Sequence, residues 1–335
     1  MLHTASAAEF LHRTKLILVA IILFSCFCTS ALADTQRGVL IYPATIYLTP
    51  DQTSSKLGTV QRGDEVAVLE KSHEWVHTLA MMGPVREDEY QVDEGDISTG
   101  RSITGWVLDK GIVLSSTPNG DQILFGAAVE AENEASRAHG RKGADQEAFR
   151  LYSRTAEYFP QSPLAGEAAY RAADIKWQLE RADVMSRPSA KEKEAFLRRG
   201  MNEDLMRRVM KKYPHTQWAD MAAFHLIENK ICGDWQGSSQ CPEKESEFYE
   251  KYVKEHPDSP ADSEALYDAA WRQSALIEIY KTENNQGKSA QAKSRATSLA
   301  QQAVAKNSQS DWARRAQTLL YMVEQNIPTY GNATE

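Results

Sequence analysis

Cys232 and Cys241 are the pair of residues in this sequence best spaced to do chemistry together. Two thiols a short loop apart can form a disulfide, hold a metal or act as nucleophiles. Zinc would need more soft ligands at short spacing, and only His225 and His256 lie near in sequence. In an oxidising compartment the expected outcome is a disulfide, which leaves neither sulfur free as a nucleophile. Such a short loop adds about 2–3 kcal/mol in the chain-entropy account. The loop carries Asp234 and Trp235. An exposed Trp235 would be a partner-binding anchor; the competing reading is a cap over the loop's own apolar cluster.

Other constellations are weaker. His73 and His77 are four apart and would share one face of a strand, but a metal there needs a third ligand that the sequence does not name. No glycine-rich phosphate loop, H-E-x-x-H or G-x-S-x-G motif occurs. No catalytic, cofactor-binding or metal-binding residue is therefore assigned, no cofactor is expected, and the expectation is a non-enzymatic protein. Tyr42, Tyr47, Trp75 and Trp106 are the aromatic residues that could meet a partner. Aromatic rings offer large contact area at small entropic cost. For the two tryptophans the favoured reading is the bland one, filling the interior of the fold.

The elements that would position these residues fall into two kinds. From Gly38 to about Ser115 short β-rich runs are split by turn residues. Val39–Tyr42, Ala44–Leu48, Leu57–Val60, Glu65–Glu70, Trp75–Leu79 and Thr104–Leu108 read as strands, with Glu65–Glu70 alternating like a half-buried one. The order Tyr47-Leu48, Gly58-Thr59-Val60 with Arg62-Gly63-Asp64, Trp75-Val76 and Gly105-Trp106-Val107 resembles the bacterial SH3-like domain over residues 37–115. That resemblance implies a small all-β barrel and a role in binding cell-wall peptides or protein segments. The stretch 80–101 departs from the pattern with an acidic insertion that includes Glu87, Asp88, Glu89, Asp93, Glu94 and Asp96; it reads as a solvated loop.

Residues 116–120 form a breaker cluster, read as a linker. Beyond it helix formers dominate, and one junction recurs. Tyr158-Phe159-Pro160-Gln161-Ser162-Pro163, Lys212-Tyr213-Pro214-His215-Thr216 and Glu255-His256-Pro257-Asp258-Ser259-Pro260 each precede an alanine-rich segment, as does the weaker Asn307-Ser308-Gln309-Ser310. Proline stops a helix and restricts the residue before it. Ser162, Thr216, Ser259 and Ser310 are expected N-caps, with Pro163 and Pro260 at the first helical position. The spacing predicts helices over 121–139, 145–159, 162–182, 189–213, 216–231, 243–256, 259–282, 288–306 and 310–326. These junctions resemble tetratricopeptide-like repeats of exported outer-membrane assembly lipoproteins and periplasmic cell-division coordinator proteins. The resemblance, over residues 121–326, implies an all-α hairpin solenoid whose concave face takes up partner segments. The fold expectation is thus multidomain: a small all-β SH3-like barrel, then the solenoid, then a flexible tail over 327–335.

Arg13 and Lys15, the apolar run Leu16–Phe24 and Ala31-Leu32-Ala33 before Asp34 have the three parts of a secretory signal peptide, assigned to 1–33. Leu23-Phe24-Ser25-Cys26 is an imperfect lipobox. The alternatives are an uncleaved N-terminal anchor, against which the shortness of the apolar run counts, and lipidation of Cys26, which would tether the chain to a membrane. The localisation expected is exported and periplasmic. The chain of 335 residues carries 38 basic against 46 acidic residues, and without a basic footprint nucleic acid is excluded as a partner. The basic residues Arg198, Arg199, Arg207, Arg208, Lys211 and Lys212 read as a solvated helix face, with a patch for an acidic partner as the alternative. Together these observations predict a protein-interaction scaffold or adaptor of the cell envelope, acting through its helical repeats on protein partners. The alternative is a peptidoglycan-binding module that recruits a wall-modifying enzyme through its SH3-like domain.

Overall fold

A computed structural model describes residues 36–82 and 101–331. Residues 1–35, with the expected leader and Cys26, residues 83–100 of the acidic insertion and the last four residues lie outside the described residues. The strands are β1 Gln36–Leu40, β2 Ala44–Tyr47, β3 Lys56–Val60, β4 Glu65–Ser72, β5 Trp75–Met82, β6 Arg101–Leu108 and β7 Ile112–Leu114. They form one antiparallel sheet in the order β3-β2-β6-β5-β4-β1-β7.

Alternate residues point to one side and build an aliphatic core: Leu40, Ile46, Val60, Val66, Val76, Ala80 and Val107. These come from six different strands, so the sheet curls around them. It does not close into the expected barrel, because among the described residues no ladder joins β3 to β7. The β1–β7 end meets helices instead. Val39 and Val113 face each other in register and share a core with Leu124, Ala127, Leu151 and Tyr152 from the first helices. The helices thus cover the outer face of the sheet at this end. β1 is buried on both sides, with Val39 toward the helices and Leu40 toward the sheet core.

The helices are α1 Gly120–Ala135, α2 Ala144–Tyr158, α3 Ala165–Ser186, α4 Asp204–Lys212, α5 Gln217–His225, α6 Gln240–Glu255, α7 Asp262–Thr282, α8 Gln286–Lys306 and α9 Asp311–Glu324. Packing is mostly between chain neighbours, as in a row of hairpins. Thr216 and Ser310 cap α5 and α9 as expected, accepting from Ala219 N at 3.3 Å and Ala313 N at 3.0 Å. Ser162 and Ser259 do not cap in that way. Their hydroxyls accept from Leu164 N and Ala261 N inside a turn, so α3 and α7 begin later and Pro163 and Pro260 lie before the first helical residue.

Of the single helix expected over 189–213, only Asp204–Lys212 forms, as α4. Arg187 is extended ahead of Pro188, as the residue before proline prefers to be. Short 3₁₀ turns follow at Pro188–Lys191 and Ala195–Leu197. Asn229 then takes the backbone of Met201 on both sides, accepting from its N–H and donating to its carbonyl, each at 2.9 Å. Backbone satisfied in this way has no need of a helix. Likewise α5 stops at His225, before a 3₁₀ turn at Glu228–Lys230. Residues 327–331, expected as the start of a flexible tail, fold back, with Thr329 bonded to Ser274.

The Arg62-Gly63-Asp64 turn fastens sheet to helices. The Arg62 guanidinium donates to the Ala127 carbonyl at 2.8 Å and to Glu130 at 2.9 Å. Arg150 of α2 donates to the Arg62 carbonyl at 3.1 Å and lies 3.4 Å from Asp64. Arg154 pairs with Glu65 at 3.1 Å. Gly63 has φ +83°, and a Cβ there would stand 2.9 Å from Arg150 Cβ. Gly63→Ala combines left-handed strain with a clash, so it should lower unfolding free energy by about 1–3 kcal/mol, read by urea denaturation. A loss below a few tenths would show that the turn bears little on stability.

Candidate functional site

The structure gathers Tyr47, Trp75 and Trp106, which are scattered in sequence, onto the outer side of the sheet. Tyr47 of β2 registers with Trp106 of β6, Trp106 with His77 of β5, and His77 with Glu70 of β4. This is a row across four adjacent strands. His77 stacks on Trp106 at 4.8 Å between ring centroids. Trp75, two residues before His77, meets Tyr47 edge-on at 5.5 Å. All four rings are half-buried. The interior assignment favoured for Trp75 and Trp106 is thus corrected. Their neighbours Val76 and Val107 point inward and are fully buried, and strand alternation sends the indoles out.

Gly105 is what lets β2 approach. A Cβ there would stand 2.7 Å from the Tyr47 carbonyl oxygen and 2.5 Å from Ile46 Cγ2. Around the rings, Glu70 and Ser72 register opposite His77 and Trp75, and Lys56 opposite Tyr47. Such a surface offers stacking faces with polar groups at the margin. His73 does not join it, since it occupies the β4–β5 turn with φ 54°. The His73–His77 pairing therefore fails, and His77 takes the role of a ring in the row, which its spacing alone did not announce. Tyr42 lies exposed beside Gly111. Among the described residues no cluster of three or more histidine, cysteine or acidic side chains could hold a metal.

Cys232 and Cys241 form a disulfide. The loop they close does not present Trp235 to solvent. Trp235 is 7% exposed, packed on Ala275 and Ile279, so the exposed-anchor reading is corrected. Its indole N–H donates to Glu245 at 3.0 Å, and the same carboxylate accepts from Cys232 N at 2.9 Å and Arg272 Nε at 3.0 Å. A buried carboxylate with three donors is satisfied rather than reactive.

The helices add a second partly open surface. Tyr267 of α7 and Trp312 of α9 lie 5.5 Å apart, with Arg315 over the Trp312 ring at 4.6 Å. Glu264, one turn before Tyr267, has its carboxyl pushed up to about 7 by burial, helped by Asp268 and opposed by Arg315. Further along, the His225 ring contacts the Tyr170 hydroxyl at 3.1 Å and Asp174 at 3.4 Å. Burial lowers His225 against the pull of Asp174. The basic residues of 198–212 are in part structural. Arg198 donates to the Ile231 carbonyl at 2.6 Å and Lys212 to that of Ala156 at 3.3 Å, while Arg207 pairs with Glu203.

No family model and no curated protein matches this chain. Among solved structures it is similar to one described as "DHF58 filament", at 13% identity and a TM-score of 0.22, over 61% of this chain and 91% of that one. It is also similar to the de novo designed helical repeat protein DHR64, at 16% identity and a TM-score of 0.20, over 62% of this chain and 94% of that one. Among the described residues no helix is long and apolar enough to cross a membrane.

The Glu264 carboxyl has a pH signature. Its folded pKa of about 7 lies above the unfolded value of about 4.3, so the folded state binds the extra proton. Stability should then fall as pH rises from about 4.3 through 7. Glu264→Gln should remove that component, so the difference in melting temperature between variant and parent should widen between pH 5 and pH 8, in favour of the variant. A constant difference would place the carboxyl in open solvent.

Proposed function

We propose that this chain is a non-enzymatic, exported interaction protein of the bacterial envelope, in which the row of helical hairpins is the scaffold and the outer side of the sheet is a recognition surface. The observation that carries the reading is the orientation of Tyr47, Trp75, His77 and Trp106. Small aliphatic residues already fill the sheet core, so the rings are not needed for it. Half-exposed aromatic rings grouped in one place are favoured where a partner is bound. Export is supported by the leader pattern of residues 1–33 and agrees with a disulfide, which persists in oxidising compartments. Adaptor work through the hairpins has support in Tyr267 and Trp312, which leave a second aromatic pair partly open. A second reading draws on the same row: stacking rings also suit sugar and peptide units of peptidoglycan, making the sheet a wall-binding module.

A crosslinking pull-down from native envelopes separates these readings. The parent chain and a Trp75→Ala, Trp106→Ala double variant would be compared, after melting curves confirm that both fold. Interface aromatic residues typically contribute about 2 kcal/mol or more when truncated, so recovery of partner proteins should fall at least about tenfold. Unchanged recovery would move recognition to the helices. Tryptophan-dependent sedimentation with purified wall sacculi, without protein partners, would favour the wall-binding reading.

A further inference from the structure

The chain after α9 returns to the disulfide loop. Asn326 adopts φ 55°, and Ile327 N donates to the Met322 carbonyl at 2.8 Å, which turns the backbone out of the helix. Lys293 holds the Asn326 side chain at 2.7 Å. Thr329 then bonds Ser274 of α7 at 2.7 Å. The Tyr330 ring lies 5.2 Å from Trp235, and Trp271 lies 5.0 Å from that same indole. Finally, Gly237 N donates to the Tyr330 hydroxyl at 3.3 Å. The ring contact and the hydrogen bond of Tyr330 are thus made with residues between the two cysteines, and the ring packs against the cluster that also holds Ala275 and Ile279.

The loop's shape is demanding. Gln236 and Gly237 are both left-handed, at φ 51° and 71°. Gly233 lies so close to residues 190–192 that a Cβ would stand 2.3 Å from the Ala190 carbonyl oxygen. Glu245 fixes Cys232 N and the Trp235 indole, while the Gly237 amide bonds to Tyr330. The loop is held by Gln236 N to Asp234 at 3.0 Å, Ser238 N to the Trp235 carbonyl at 2.9 Å and Ser239 N to Glu283 at 3.0 Å, and the covalent closure between Cys232 and Cys241 joins its two ends around them. Cross-linking acts mainly by removing alternative open conformations.

We propose that the Cys232–Cys241 disulfide is a redox-operated clasp for the chain's own C-terminal segment, residues 326–330. Oxidised, the loop offers Trp235 and Gly237 to Tyr330. Reduced, the loop relaxes, Tyr330 leaves, and one side of the Trp235 indole is uncovered. The reductant is a dithiol, either a small molecule or a dithiol oxidoreductase. Cys232 is partly open whereas Cys241 is 4% exposed, so the attacking thiolate meets Cys232 Sγ. The S–S bond breaks, and Cys241 departs as a thiolate and takes a proton. The second thiolate of the reductant then attacks the reductant's own sulfur in the mixed disulfide and releases Cys232 as a thiolate, which takes a proton from water. Two electrons pass to the protein, and the dithiol leaves as its own disulfide.

The test is hydrogen exchange on the purified chain with and without dithiothreitol, with free-thiol labelling to confirm the redox state. After reduction, peptides covering 323–331 and 233–240 should exchange at least about tenfold faster while α2, α7 and α8 stay protected, as a local opening requires. A Cys232→Ser, Cys241→Ser variant should match the reduced protein without reductant. Tyr330→Ala should loosen 323–331 with the disulfide intact. Unchanged exchange of 323–331 on reduction would overturn the clasp. So would a loss of protection spread through all the helices, which would make the disulfide a general staple, or a Tyr330→Ala segment as protected as the parent.

Discussion

The burial of β1 on both sides governs the rest of this molecule. A strand with Val39 on one side and Leu40 on the other, both fully buried, must be sandwiched. The curled sheet supplies one slice and α1, α2 and α3 the other. The Arg62-Gly63-Asp64 turn locks this arrangement with charge-assisted bonds to α1 and α2. Asp64 sits with its carboxyl above the usual carboxylate range, because burial outweighs the nearby Arg150. Its ion pair is therefore better read as fixing register than as a large source of stability.

The outer side of the sheet is then divided. Val39 and Glu65 register together, and outward positions continue through Ala67 and Leu79. At the β1–β7 end this side is taken by helices. At the β2-β6-β5 end it carries Tyr47, Trp106, His77 and Trp75. The same surface that is spent on packing at one end is left half-exposed at the other. Alternation makes this possible, because each strand needs only its inward set, Ile46, Val76, Ala80 and Val107, for the core.

Much of this was legible in the sequence where the cause is local. Proline junctions stop helices wherever they occur, and Thr216 and Ser310 cap the helices that begin after them. Strand runs and the disulfide also needed only nearby residues. The failures share a different cause. Alternation separates Trp106 from Val107 but does not say which set faces inward; the limited room within a small curled sheet decides that. The first half of the helix expected over 189–213 gave way to turns, and Asn229, beyond α5, takes the backbone of Met201 in place of helical partners. Trp235 was undecided because its partners Glu245, Trp271 and Tyr330 are spread along the chain. In each case the sequence held the residue, and long-range contact chose its role.

Nearest-neighbour packing also separates what happens at the two ends of the chain. The sheet leans on α1 and α2, whereas the disulfide loop and C-terminal segment lean on α6, α7 and α9. The helices between are joined by distinct clusters, with Tyr170, Trp177 and Met206 in one and Tyr249, Tyr252 and Leu266 in the next. In such a row each interface contributes its own stability, and a change at one repeat decays over its neighbours. Residues 327–331 can leave the Trp235 loop without disturbing the Arg62 anchor, since no contact of the one is shared with the other. On the proposed reading, the aromatic row on the sheet and the C-terminal clasp are two separate devices on one scaffold, and an adaptor built this way would change one attachment while keeping the other.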